Sequence, residues 1–144
     1  MQNHPFDGIN LKDHPSAYRI GRGEYGIFHA EPYKSELLPL WGFKNERIAR
    51  QAAEAIYNKY KQYRKEEDFV GMDVARKFLR MGYTRARRYA KYPGGKKYNE
   101  DGTVKEVTAL DEEKQRAAEI FDESRSSIVE DPKYQRLKDE FIGE

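Results

Sequence analysis

Residues 18–30 read Tyr18-Arg19-Ile20-Gly21-Arg22-Gly23-Glu24-Tyr25-Gly26-Ile27-Phe28-His29-Ala30, and how they fold decides the fold class. Two short β-prone runs, 18–20 and 25–30, flank a glycine-rich turn, which is a hairpin signal. The segment 21–26 is also a literal G-x-G-x-x-G. In a dinucleotide-binding domain that motif opens a helix, so that phosphate meets helix-terminal N–H groups; here a strand-like run follows it. Strand, glycine loop and strand superficially look like a protein-kinase nucleotide loop. No H-R-D or D-F-G occurs, however, and 144 residues cannot house two lobes. A tight hairpin whose glycines take positive φ is the leading expectation, with Arg22 at its tip available to an anion.

Upstream, residues 1–17 carry Pro5, Gly8 and Pro15 without periodicity and read as an irregular arm. Downstream, helices dominate. Asn45 can cap a helix over 46–65, whose Ile48, Ala52, Ala55, Ile56 and Tyr60 recur at helical spacing. A second helix begins near Asp68. Its apolar positions Val70, Met72, Val74, Ala75, Phe78, Leu79 and Met81 span more than half the circumference, as in a helix packed on several sides. Gly82 reads as its stop and Thr84 as the cap of a third helix over 85–92. The stretch around Gly82-Tyr83-Thr84 thus resembles a helix-turn-helix with the basic helix second. It lacks the Asn or Gln expected for bidentate adenine contacts, so backbone or nucleotide-phosphate binding fits better than base reading. Residues 96–98 and 103–107 flank Asn99-Glu100-Asp101-Gly102, a second hairpin signal. Asp111 opens a fourth helix, and Asp131-Pro132 starts a fifth. The expected fold is a single α+β domain over 1–144, mostly helical, with an N-terminal glycine hairpin and a second small one.

The net charge of +2 conceals a division. Residues 1–40 carry four basic and five acidic side chains, residues 41–98 sixteen and six, and residues 99–144 seven and fourteen. From Arg76 to Lys97 there are nine Lys and Arg and no acidic residue. Such asymmetry indicates either a polyanion-binding face or two segments that attract one another. Asp73 lies three and four residues before Arg76 and Lys77 and can pair with them on the helix. The candidate ligand-binding residues are therefore Arg22, Arg80, Tyr83, Arg85, Arg87, Arg88, Tyr89, Lys91, Lys96 and Lys97. Guanidinium groups bind phosphate oxygens bidentately, and aromatic faces stack on bases.

Catalytic signals are sparse. The sequence has no cysteine, which excludes disulfides, thiol nucleophiles and Cys-based zinc sites. His4, His14 and His29 show no metal-ligand spacing, so neither a metal nor a cofactor is expected. His29, between Glu24 and Glu31, is the one candidate general base. No apolar run approaches the length of a membrane span. Residues 1–7 lack the features of a secretory signal, so a cytoplasmic location is expected.

Two blocks carry a family resemblance. They are Arg19-Ile20-Gly21-Arg22-Gly23-Glu24-Tyr25-Gly26 running on to Glu31-Pro32-Tyr33-Lys34-Ser35-Glu36, and Phe69-Val70-Gly71-Met72-Asp73 through Arg85-Ala86-Arg87-Arg88-Tyr89-Ala90. Over about residues 10–142 the chain resembles a family of small proteins of bacteria, tailed phages and some fungi, grouped as a domain of unknown function. The resemblance implies a single domain and a phage or bacterial accessory role, such as binding host nucleotides or countering a host defence.

The residues themselves lead to non-enzymatic binding of a phosphate-rich ligand, nucleic acid or nucleotide. The alternatives are a small enzyme acting on a phosphorylated substrate, with His29 or Glu24 as acid/base, and a protein-interaction module. The last would use the basic middle or acidic end to dock a host protein or a second copy.

Overall fold

The computed structural model describes residues 4–92, 96–105 and 110–143. Among them the chain forms five α-helices: α1 (Tyr33–Leu37), α2 (Glu46–Lys65), α3 (Phe69–Lys91), α4 (Glu112–Val129) and α5 (Pro132–Gly143). Local chemistry sets the starts. The Asn45 side chain accepts from the Ile48 amide at 2.8 Å, Asp68 from Gly71 at 3.1 Å, and Asp111 from Lys114 at 3.1 Å, each satisfying an amide that the first helical turn leaves without a partner. Asp131 caps α5 through the Lys133 amide at 2.9 Å and also receives Arg64 Nε at 2.7 Å. It thereby ties the end of α2 to the start of α5.

Helix α3 is the axis of the core. Val70, Met72, Val74, Ala75, Phe78, Leu79 and Met81 are all buried, in keeping with the wide apolar face read from the sequence. Helices α2 and α4, the N-terminal segment and α5 pack around it. The segment before α1 is less peripheral than its composition suggests, because Phe6, Leu11 and Tyr18 are fully buried.

Three expectations are corrected. The fold is all-helical rather than α+β: no strand or sheet forms among the described residues. In the glycine-rich segment, Tyr25, Ile27 and His29 donate their amides to the carbonyls of Arg22, Glu24 and Gly26 at 2.9, 3.1 and 3.0 Å. Each of these amides is satisfied three residues back, and no ladder forms across the turn. Positive φ at Gly21, Gly23 and Gly26 coils the segment into successive turns that end in a 3-10 turn over Ile27–His29.

The second hairpin signal yields one isolated antiparallel bridge, Tyr98 to Val104. Residues 106 and 107 of that signal lie outside the described residues.

Gly82, finally, does not end a helix. Helix α3 runs unbroken from Phe69 to Lys91, so there is no helix-turn-helix. A Cβ at Gly82 would lie 2.5 Å from the Phe121 ring. The glycine is there for the close approach of α4.

Candidate functional site

The C-terminal turns of α3 leave the core. Gly82, Ala86 and Ala90, spaced by four, form the buried side. Gly82 meets Phe121, and the Ala90 carbonyl accepts the Asp111 amide at 2.9 Å, so α4 runs antiparallel along this side. At 100° per residue Arg80, Tyr83, Arg87 and Lys91 share one strip away from α4, with Arg88 on its shoulder. From Arg80 to Lys91 the strip is about 16 Å long, at 1.5 Å rise per residue. Arg87 donates to the Tyr83 hydroxyl and lies over its ring at 5.8 Å. Arg85 and Tyr89 face the other way, where Tyr89 packs edge-on against Phe43 and carries Lys114 over its ring. The expected site thus divides into a stripe and an aromatic corner.

None of Arg80, Arg85, Arg87, Arg88 and Lys91 has a carboxylate within 4.0 Å among the described residues. The acidic C-terminal third makes its ion pairs elsewhere. Asp131 takes Arg64, Asp122 takes Arg125 of its own helix, and Glu140 takes Arg136. Glu113 accepts the Glu46 amide at the start of α2.

Arg22 is exposed on the glycine-rich segment, and that segment lies against α3: a Cβ at Gly23 would sit 3.3 Å from Arg80 Nε. The Gly loop therefore brings Arg22 near the N-terminal end of the stripe. Lys96 and Lys97 are exposed beside the Tyr98–Val104 bridge, with Lys97 over the Tyr98 ring. No contact joins them to the stripe among the described residues.

Below the stripe lies a buried polar centre, only partly legible in the sequence. Asp73 accepts the Tyr18 and Tyr134 hydroxyls and Arg76 Nε, the last at 2.7 Å. Lys77 Nζ lies 3.8 Å from Asp73 and donates to the Tyr25 carbonyl at 2.7 Å. Lys77 is fully buried, so it clamps the glycine segment onto α3 instead of joining the basic surface. Burial pushes its ammonium down to about 8, against the pull of Asp73. Burial would raise the Asp73 carboxyl, yet Arg76, Lys77 and Tyr18 hold it below the usual carboxylate range. The i, i+3 and i, i+4 pairs expected on the helix are present. The two tyrosines come from 55 and 61 residues away, and no local spacing announces them.

His29 gains a partner that the sequence did not offer. Its Nδ1 lies 3.1 Å from Asp7, while the His4 ring stacks on it at 4.7 Å, nearly parallel. Gly26 permits this: a Cβ there would come 2.3 Å from Phe6 and 3.0 Å from His4. Burial and the neighbouring His29 lower the His4 pKa. His14 is exposed and apart from this pair. Among the described residues, no three His, Asp or Glu side chains are grouped as a metal site would require.

A helical protein whose basic stripe has no carboxylate partner among the described residues, beside a glycine-rich loop, is the class that the geometry defines. The chain belongs to the family described as Domain of unknown function (DUF4385), whose model matches residues 1–144. No curated protein and no solved structure matches it. No helix among the described residues is long and apolar enough to cross a membrane.

Proposed function

We propose that this protein binds a phosphate-rich ligand, nucleic acid or nucleotide, along the stripe of exposed Arg87 and Arg88 and half-buried Arg80 and Lys91, with Arg22 assisting. The observation that carries the reading is that these cations have no carboxylate within 4.0 Å among the described residues, although α4 packs beside them; on α4, Asp122 pairs with Arg125 and Glu113 accepts the Glu46 amide. Cations left without partners on one strip of a helix attract phosphates and release the condensed counterions. The Tyr83 ring, held by Arg87, offers a stacking face. The reading includes a cytoplasmic setting and the phage or bacterial accessory role that the family resemblance implies.

The test is fluorescence anisotropy of labelled oligonucleotides between 50 and 200 mM salt. For Arg87→Ala/Arg88→Ala/Lys91→Ala, affinity is expected to fall by about tenfold or more, and the log–log salt slope to flatten by about 2. A triple variant that binds oligonucleotides and nucleotides like the parent removes the stripe from the function. Salt-sensitive protein association without any affinity for nucleic acid or nucleotide would select the interaction-module alternative.

A second reading, a small enzyme acting on a phosphorylated substrate, draws on the Asp7–His29 contact. A carboxylate on Nδ1 fixes the tautomer and leaves Nε2 as the base. Phosphate release that disappears in His29→Ala and drops in Asp7→Asn, with binding retained, supports it. Turnover unchanged in His29→Ala sinks it.

A further inference from the structure

A cleft of about 760 Å³ opens between the C-terminal half of α2 and the corner where α4 meets α5. It lies on elements that the basic stripe does not use, and its volume falls in the range of small-molecule sites. Tyr57 and Tyr60 form an aromatic wall, their ring centroids 5.4 Å apart. Tyr60 is buried, whereas part of the Tyr57 ring stays open to the cleft. Around this wall stand Lys61, Arg64, Lys65 and Lys133, against the acidic Glu130 and Asp131.

Asp131 pairs with Arg64 and not with the lysines of the rim, its oxygens being already occupied. They accept Arg64 Nε and Nη2, the Tyr60 hydroxyl and the Lys133 amide. That arrangement fixes the Arg64 guanidinium on the cleft wall. Lys61 and Lys65 have no carboxylate within 4.0 Å among the described residues, and Lys61 Nζ lies 5.7 Å from the centre of the Tyr57 ring. Two ammonium groups without a carboxylate partner among the described residues therefore line the cleft, Lys61 against the half-exposed Tyr57 ring and Lys65 farther along α2.

We infer that this cleft binds a phosphorylated aromatic of mononucleotide size, with Lys61 and Lys65 on the phosphate and Tyr57 against the ring. Inorganic phosphate alone would leave most of the volume wet and the tyrosine wall unused. A neutral aromatic would leave the ammonium groups without a counter-charge.

The test is isothermal titration of the full chain with AMP, adenosine and inorganic phosphate. AMP is expected to bind more tightly than either of its parts. Lys61→Ala/Lys65→Ala and Tyr57→Ala should each weaken AMP by about tenfold, about 1.4 kcal/mol, while the oligonucleotide affinity of these cleft variants stays at the parent's. Lys61 and Lys65 are exposed, so the lysine variant retains the fold, which far-UV circular dichroism checks. The inference is overturned if the parent does not bind AMP, if phosphate binds as tightly as AMP, or if the cleft variants match the parent. Because the two sites share no residue, loss of oligonucleotide binding in the stripe variant leaves this inference standing.

Discussion

Asp73→Ala is expected to lower the unfolding free energy by about 3–5 kcal/mol, measured by urea denaturation at neutral pH. The carboxylate is fully buried and serves four groups: Tyr18, Tyr134, Arg76 and Lys77. Removing it leaves a buried ammonium with only the Tyr25 carbonyl, and two buried hydroxyls without an acceptor. An unpaired buried charge costs far more than the pair contributes, which is why truncating one partner is so damaging. Removing both ends is expected to restore part of the loss: Asp73→Ala/Lys77→Met should be more stable than Asp73→Ala alone. A single variant within 1 kcal/mol of the parent would show that Asp73 does not organise this centre.

The same centre gives the variant a pH signature. Lys77 titrates near 8 in the folded chain against a reference of 10.5, so between those values the unfolded chain holds more protons. Stability from this group therefore rises with pH across that window. Without Asp73 to hold the proton, the Lys77 pKa drops further. The window then opens at lower pH, so the Asp73→Ala curve already climbs around neutrality, where the parent's is still flat, and the two run parallel well above pH 8. Tyr18 and Tyr134 oppose this only from about pH 10 upward, where the unfolded chain ionises tyrosines that burial keeps protonated in the fold.

These two residues also mark what the sequence makes legible. Whatever depends on neighbours within one turn could be read directly: the Asn45 cap and the span 46–65 of α2, the Asp131-Pro132 start of α5, and the Asp73 pairs to Arg76 and Lys77. Whatever depends on contacts across the chain could not. Tyr18 looked like a strand residue because β propensity reports fit to a half-buried surface. In the fold its hydroxyl is claimed by a carboxylate 55 residues on. The glycine-rich segment carried a correct turn signal, but turn residues alone do not distinguish a hairpin from successive turns. Lys77 pulling on the Tyr25 carbonyl and Phe6 filling the space at Gly26 make the difference. Of the candidate site, the basic positions were legible. Their division into a stripe and an aromatic corner required the continuous α3, and Asp7 and His4 beside His29 required the folded arm.

Gly82 is the residue whose meaning changed most, and Gly82→Leu is expected to destabilise the protein by about 3 kcal/mol or more. At a solvent-facing helix stop, substitution would cost little. In an exposed helix interior, alanine would even gain about 1 kcal/mol over glycine. Here the first added carbon falls 2.5 Å from Cγ and Cδ1 of Phe121, near the root of a fully buried ring that cannot swing aside. The helices must separate, and packing at interior density transmits that shift through the core that holds Ala86 of α3 and Ala117 of α4. Gly82→Ala should therefore destabilise despite its better helix propensity, and Phe121→Leu should rescue it in part by vacating the ring. The consequence reaches the stripe, because α4 is what seats the emerging turns of α3. In Gly82→Leu, phosphate-ligand affinity should fall although every arginine remains. Thermal melts of Gly82→Ala decide the point: a midpoint at or above the parent's would restore glycine to the role of a helix stop.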